Sequence, residues 1–387
     1  ETKALIDPQL EETIARINRD EKVEIFVVFN QQSDEDYLRN LVAALPRREQ
    51  RYPVVNYLKE LSARNQEPLI NYLSLQTASN KVSEIKQFWI INALYCKATP
   101  DVINEIANRK DVAFITYPYI ISENILLTYG DPVPVDALDS RAIIWNIRLI
   151  AADSCWAAGY RGQGVIVGVI DTGVNYNHLD LRNHMWSDPN YPYHGWNFEN
   201  NNNNPIDAQG HGTHCAGSVA SDGSAGDSCG VAPQCSIMAL RVRTSIAYPM
   251  PDTISEQNVF DAMQFVISPP LSPTHGADVA TMSLGWYVAW TPRRSMWRKA
   301  VTNVALAGIP FFIAAGNERT NTGVCPVPYN LRCPGEVPPP WHHPANAKGR
   351  LGGAISIAAT DSLDRLASFS SCGPSCWEDV PWYWDYP

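Results

Sequence analysis

Two residues of this sequence have the side chains and the surroundings for acid–base chemistry, Asp171 and His211. Asp171 follows the apolar run 165–170, which predicts a fully buried strand. His211 precedes the small-residue segment 213–220, which predicts a helix under that strand. A buried carboxylate keeps an imidazole in one tautomer and stabilises the imidazolium that forms when a nucleophile loses its proton. The pair therefore predicts the orienting half of a nucleophilic triad.

The elements that must position this pair alternate between strands and helices. Short apolar runs lie at 165–170, 236–242, 279–283, 310–314 and 354–359, with helical segments such as 257–267 and 294–307 between them. This pattern predicts an α/β fold, a mostly parallel sheet with helices on both faces. Sites in such sheets gather beyond the carboxyl ends of the strands. Asp171, Ser283 and Asn317 should therefore meet at one rim of the sheet.

The N-terminal part of the chain predicts a separate, smaller domain. Strand-like runs at 23–30, 88–96 and 112–117 alternate with helical segments at 34–45, 54–75 and 100–109. This alternation favours an α+β domain with helices on one sheet face. We divide the chain into this domain at 1–125, an extended proline-containing linker at 126–146, and the α/β domain at 147–387.

Five motifs give the chain a resemblance to the subtilisin-like serine peptidases, the subtilases. In order they are Asp-Thr-Gly at 171–173, Gly-His-Gly-Thr-His at 210–214, Ser-Leu-Gly at 283–285, Ala-Ala-Gly-Asn at 314–317 and Ser-Phe-Ser-Ser-Cys-Gly-Pro at 368–374. The resemblance implies the subtilisin-like fold. It also implies a serine endopeptidase that cleaves protein or peptide substrates with an Asp–His–Ser triad.

The same resemblance implies roles for residues around the pair. Asn317 would donate its side-chain amide to the oxyanion of an acyl-transfer transition state. A peptide substrate would lie along a strand edge and gain main-chain hydrogen bonds by strand addition. The substrate-binding residues would be Ser283, Leu284, Gly285, Ala314, Ala315 and Gly316.

The family's nucleophilic serine lies in a Gly-Thr-Ser-Met-Ala segment. This segment does not occur in the sequence, so the serine has no counterpart here. We expect the catalytic serine beyond residue 387, and residues 1–387 alone to be inactive. The alternative is a catalytically inactive subtilase-like binding protein or an inactive fragment. By its position, the N-terminal domain resembles the family's propeptide. We expect it to pack on the rim near Ser283, to block the cleft with part of 118–140, and to be released by cleavage in the linker.

Metal chemistry is a third class of function that the sequence leaves open. His214 follows His211 by one helical turn, so a metallohydrolase could use the two histidines together with nearby carboxylates. The resemblance instead implies a second histidine without metal, and chemistry that needs no cofactor. It also places Asp180 where many subtilases bind a structural calcium ion, and a polar turn bound only to water is the alternative.

Nine cysteines are many for a protein of a reducing compartment. We predict a disulfide between Cys325 and Cys333 across a proline-containing loop, with buried thiols as the alternative. Cys215 completes Gly-Thr-His-Cys, which resembles the thiol-containing branch of the family. We expect Cys215 to be an unpaired buried thiol near His211 that faces away from the cleft, and a cysteine nucleophile is the alternative.

Composition narrows the classes of function further. The formal net charge is −10, whereas nucleic-acid-binding domains are usually basic. No apolar run approaches the length of a membrane span. The cysteine content favours an exported, oxidising location, and the resemblance implies a proform, so we predict a secreted or extracytoplasmic zymogen. Its partners would be its substrates and its own N-terminal domain, without nucleic acid or membrane.

Overall fold

The structure is a computed structural model that describes residues 3–118, 120–121, 143–244, 253–272, 276–288, 291–320, 323, 326–327, 330–337 and 353–373. In chain order its elements are β1 (Leu5–Ile6), α1 (Pro8–Arg16), β2 (Val23–Phe29), α2 (Glu35–Val42), α3 (Arg47–Ala78), β3 (Val82–Phe88), β4 (Ala93–Ala98), α4 (Pro100–Ala107), β5 (Val112–Thr116), β6 (Ile120–Ile121), α5 (Trp145–Leu149), α6 (Ala152–Ala157), β7 (Ile166–Asp171), β8 (Gly195–Asn197), α7 (His211–Ala220), β9 (Ser236–Arg241), β10 (Arg243–Thr244), β11 (Thr253–Ser255), α8 (Glu256–Ile267), β12 (Val279–Met282), α9 (Thr291–Leu306), β13 (Phe311–Ala314) and β14 (Ile355–Ile357). Among the described residues, none of the helices combines the length and the apolar content of a bilayer span.

The N-terminal part forms a five-stranded sheet of order β1-β5-β2-β4-β3, in which only β1 and β5 pair in parallel. Neighbouring residues of β2 face opposite sides of this sheet. Ile25 and Val27 join one core cluster with Leu73 of α3 and Ile103 of α4. Phe26 joins a different core cluster on the opposite face of the sheet. Most members of that cluster belong to the α/β domain. The α+β architecture is as predicted, but the expectation of helices on one sheet face is wrong, because both faces are covered.

One predicted strand is wrong. The run 88–96 contains the end of β3, a turn at 89–92 and the start of β4. The turn is apolar because it packs against the other domain: the side-chain oxygen of Gln264 accepts hydrogen bonds from the backbone N–H groups of Trp89 at 2.7 Å and Ile90 at 3.3 Å. Burial by another domain makes a turn look like a strand in the sequence.

The second sheet is parallel throughout, with the order β14-β13-β12-β7-β9-β8. Val169 of β7 shares a core cluster with Ala216 of α7 on one face. Ile170 shares a cluster with Val266 of α8 and Val304 of α9 on the other face. Because helices cover both faces, β7 is apolar at successive positions. The predicted α/β fold is confirmed.

The face of the N-terminal sheet that carries Phe26 packs on α8 and α9. Phe26 and Phe88 make edge-to-face contacts with Phe260 of α8, at 5.9 and 6.3 Å between ring centroids. Beyond this sheet, β6 pairs antiparallel with β11, which pairs in turn with β10. The docking surface therefore differs from the predicted rim near Ser283, because the apolar surface that this sheet covers lies on the two helices.

Candidate active site

Asp171 and His211 meet where β7 ends and α7 begins. Both residues are only 1% exposed. His211 Nδ1 lies 2.7 Å from Asp171 Oδ1. A carboxylate on Nδ1 favours the tautomer with its proton on that nitrogen, which leaves Nε2 as the basic nitrogen. The structure thus brings the predicted pair together in the geometry that a nucleophilic triad requires.

Glycine allows α7 to start this close to the end of β7. A Cβ added to Gly212 would lie 2.1 Å from Gly173 O and 3.1 Å from Asp171 Cβ. No side chain larger than hydrogen fits these distances without moving the helix. The position of His211 therefore depends on the next residue in the chain as well as on Asp171.

Replacement of Gly212 with alanine is expected to push α7 off β7 and to lower the free energy of unfolding by about 1–3 kcal/mol. Gly217 is the matched control in the same helix, because a Cβ there meets nothing within 4 Å. Gly217→Ala should be neutral or stabilise by up to about 1 kcal/mol. Urea denaturation followed by circular dichroism measures both, and equal stability of the two variants would contradict the close-approach argument.

Asp207 organises the start of α7, a role that the sequence analysis missed. Its Oδ1 accepts hydrogen bonds from Thr172 Oγ1 and from the Gly210 N–H, each at 2.9 Å. Its Oδ2 accepts from the N–H of Thr213 at 2.9 Å and from Thr213 Oγ1 at 2.6 Å. Burial alone would raise the pKa of Asp207, but these hydrogen bonds outweigh it and keep the pKa below its ordinary value. An acidic residue just before a helix was the signal that could have indicated this capping role.

Cys215 is a free thiol, as predicted, but it is half-buried rather than buried. Its Sγ lies 3.8 Å from His211 Nδ1, which is the nitrogen that faces Asp171. Burial, followed by the charge of Asp171, raises the pKa of the Cys215 thiol. A thiol that stays protonated is a poor nucleophile. This position behind the imidazole does not favour the alternative of a cysteine nucleophile.

The metal alternatives receive little support from the described residues. Asp171, His211 and Cys215 have ligand atoms within 4.8 Å of one another, but this group does not include His214. Asp180 accepts hydrogen bonds within the chain at both oxygens, from Ser221 Oγ at 2.7 Å and from the N–H of Ala225. Because these donors occupy directions that a cation would take, the donor set fits a loop anchor better than a calcium ligand. Calcium at Asp180 stays a prediction.

The predicted disulfide between Cys325 and Cys333 receives no support from the structure. Cys333 is a fully buried free thiol, and Cys325 lies outside the described residues. The Cys333 backbone instead bridges to Trp286, donating at 2.9 Å and accepting at 2.7 Å.

The parallel register brings the remaining predicted residues to the same rim. Met282 of β12 lies beside Ile170 of β7 and Ile313 of β13. Asp171, the last residue of β7, and Ser283, which follows β12, therefore lie side by side at the end of the sheet.

Asn317 follows the end of β13 after Gly316, whose φ of 110° favours glycine. Asn317 lines a small pocket together with 283–285, Ala314 and Gly316. Ala315 is the exception among the predicted substrate-binding residues. It is buried, and its carbonyl accepts a hydrogen bond from the chain rather than facing the pocket.

Comparisons with known proteins identify the family of this chain. A family model described as the subtilase family matches residues 162–385, which is more than half of the chain. The chain belongs to the subtilase family. This subtilase carries its Asp171–His211 pair and Asn317 within the matched region.

Two curated relatives and one solved structure illustrate the similarity. Bacillopeptidase F of Bacillus subtilis (strain 168) is 24% identical over 371 residues, covering 88% of this chain and 23% of the relative. Subtilisin E of the same organism is 28% identical over 291 residues, covering 74% of this chain and 61% of the relative. The subtilase therefore spans less than two thirds of either relative. The crystal structure of the epidermin leader peptide processing serine protease from Staphylococcus aureus has a similar fold, with a TM-score of 0.56, 17% identity, and coverage of 90% of this chain and 73% of that chain.

Proposed function

We propose that this subtilase is a serine endopeptidase that is made as a zymogen. The buried Asp171–His211 pair, on the rim that Ser283 shares, is the observation that carries the proposal. His211 Nε2 would take the proton of a serine hydroxyl and later give it to the leaving amine, while Asp171 stabilises the imidazolium. The Asn317 amide would donate to the oxyanion of the tetrahedral intermediate.

The nucleophile is assigned to a serine outside the described residues, in a segment beyond residue 387. Described serines near the rim have other roles. Ser370 Oγ accepts the N–H of Ala359 at 3.1 Å. Ser371 Oγ accepts the N–H of Glu318 at 3.0 Å and donates to a Glu318 carboxylate oxygen at 3.1 Å. Ser283 lies in the strand edge proposed to pair with substrate.

A fluorophosphonate probe tests this assignment. We expect the full-length protein to hydrolyse casein and to be labelled at one serine, whereas residues 1–387 alone do neither because His211 has no hydroxyl to activate. Labelling of a serine within 1–387 would show that the nucleophile is misassigned. If the full-length protein neither hydrolyses casein nor reacts, the alternative of a subtilase-like binding protein is favoured.

The N-terminal domain is proposed to act as the inhibitory propeptide. Its polar contacts with the peptidase domain support a specific complex. Arg48 makes a bidentate pair with Asp278 at 2.6 and 2.8 Å. Arg51 donates to the carbonyls of Gly276 at 3.2 Å and Ala277 at 2.5 Å.

The chain that leaves this domain supports the same role. As β6 it adds to β11 as an extra strand, the mode in which extended peptides bind to sheet edges. The proposed cleavage falls in the linker 126–146, most of which lies outside the described residues. We also place the protein outside the cytoplasm, on its cysteine content, and its recovery from the culture medium would test this.

Asp261 makes docking of the N-terminal domain sensitive to pH. It pairs with Lys86 of β3 across the domain interface. Burial raises the pKa of Asp261 to about 6, although Lys86 opposes the shift. An exposed aspartate has a pKa of about 3.9, so the docked state binds this proton more tightly than the undocked state. The contribution of Asp261 to docking is therefore full below about pH 4 and is lost as the pH rises through about 6.

We expect the free energy of unfolding of the native protein to fall between about pH 4 and about pH 6. In Asp261→Asn this fall with rising pH should be smaller. Urea denaturation at a series of pH values measures both. Asp36→Asn is the control, because the Asp36 side chain is 79% exposed. A profile for Asp261→Asn that matches the native one would show that another group causes the dependence.

A further inference from the structure

A small, partly open pocket lies beside Asn317, beyond the carboxyl ends of β12 and β13. Its walls are the strand edge 283–285 and the turn 314–317, and its other sides are Glu318 and Arg332. The free volume is about 10 Å³, which is room for roughly one water molecule. A site proposed to bind peptides is thus nearly filled by the chain itself.

The aliphatic part of the Arg332 side chain fills this space. Its Cβ lies 2.6 Å from where a Cβ on Gly285 would stand, and its Cγ lies 2.7 Å from where a Cβ on Gly316 would stand. The two glycines of the opposing walls therefore make the room that Arg332 occupies. The Arg332 N–H also donates to the Ala315 carbonyl at 2.9 Å, which fixes the start of the side chain.

Glu318 forms an ion pair with the guanidinium of Arg332. Arg332 Nη2 lies 2.7 Å from Glu318 Oε1. Glu318 Oε2 accepts hydrogen bonds from the Asn317 N–H at 2.8 Å and from Ser371 Oγ at 3.1 Å. The two side chains are 20% and 15% exposed. The guanidinium is therefore both paired and anchored, and a bound side chain would have to displace it.

We propose that Arg332, held by Glu318, restricts the residue on the acyl side of the cleaved bond to glycine, alanine or serine. This inference rests on the proposed peptidase function. The attacked carbonyl must reach the Asn317 amide while the peptide pairs with the edge 283–285. The side chain of that same residue then points into the pocket between these two elements, where only a small group fits.

A second cavity, of about 250 Å³, also touches Asn317. It lies over the strands themselves and is lined by residues such as Phe312 and Ile357. Ser283 lines both cavities, but Leu284 and Gly285 line only the small pocket, so a peptide paired along the whole edge 283–285 directs this side chain to the small pocket. If the second cavity received the side chain, large apolar residues would be preferred, which is the opposite result.

The test uses the full-length protein and fluorogenic peptides that differ only in the residue before the cleaved bond. We expect kcat/KM for alanine to exceed that for phenylalanine by on the order of 100-fold. Arg332→Gly should open the pocket and raise kcat/KM for the phenylalanine peptide at least about 10-fold. Arg365→Gly is the matched control, because the Arg365 side chain is 69% exposed and forms its ion pair with Asp361 within its own turn. A native preference for phenylalanine, or no change of preference in Arg332→Gly, would overturn the proposal.

Measurements of peptide binding distinguish failure of this inference from failure of the proposed peptidase function. Product peptides that end in alanine or phenylalanine need no nucleophile to bind, and their affinities are measured by fluorescence anisotropy. If no peptide is hydrolysed, the peptidase proposal fails, while tighter binding of the alanine product and a gain for the phenylalanine product in Arg332→Gly would still support the pocket assignment. Tighter binding of the phenylalanine product to the native protein, or no binding of either product, would overturn it.

Discussion

Replacement of His211 with alanine is expected to lower kcat of the full-length subtilase by on the order of 10⁶, and Asp171→Asn by on the order of 10⁴. These magnitudes are those of well-studied serine peptidases, subtilisin included. The physical reason is that the alanine variant has no base for the serine proton. In the asparagine variant the amide no longer favours the tautomer that leaves Nε2 basic, although the 2.7 Å contact can persist.

His214→Ala is the control for this result. His214 lies one turn further along α7 and is exposed, so we expect a loss of less than about 10-fold if it takes no part in proton transfer. Steady-state kinetics on one fluorogenic peptide measure all three variants. Comparable losses in the His214 and His211 variants would contradict the assignment of the general base and would revive the His-x-x-His metal alternative.

Arg293→Ala should cost about 3–5 kcal/mol of stability, the largest expected effect at the domain interface. Arg293 is 0% exposed. It donates to Thr116 Oγ1 and, at 2.5 Å, to the Tyr117 carbonyl. Its guanidinium also lies 3.4 Å from Asp7 Oδ2 and 3.7 Å from Glu256 Oε2. Removal of the cation would leave these buried carboxylates without their shared counter-charge.

Arg48→Ala is the comparison that tests whether burial of the ion pair causes the large loss of stability expected for Arg293→Ala. Arg48 also pairs across the domain interface, with Asp278, but its side chain is 66% exposed. We expect that variant to lose no more than about 1 kcal/mol, since exposed pairs are screened by water. Urea denaturation and limited proteolysis of the N-terminal domain measure both variants. Equal losses would show that burial does not decide the strength of these contacts.

The fold of the subtilisin-like domain was largely predictable because its signals are local. Successive apolar residues in a run such as 165–170 indicate a strand covered on both faces, and the motif around His211 indicates the start of a helix. Parallel strands place their carboxyl ends together whatever the details of packing, so Asp171 and Ser283 were predictable neighbours. The residues of the Asp171–His211 pair were therefore predictable from the sequence, before any distance was measured.

The tertiary structure decided whatever depends on distant parts of the chain. The apolar turn at 89–92 is buried by α8 and α9, and no local pattern distinguishes burial by another domain from burial in a strand. Asp207 and Arg332 are polar residues in irregular segments, where periodicity carries no information about their partners. Arg332 lies in the pocket only because 332–333 bridges to Trp286 and Ala315, and Glu318 then pairs with its guanidinium. Periodicity and motif spacing specify elements and their order, whereas pairing across loops depends on distances that exist only once the chain has folded.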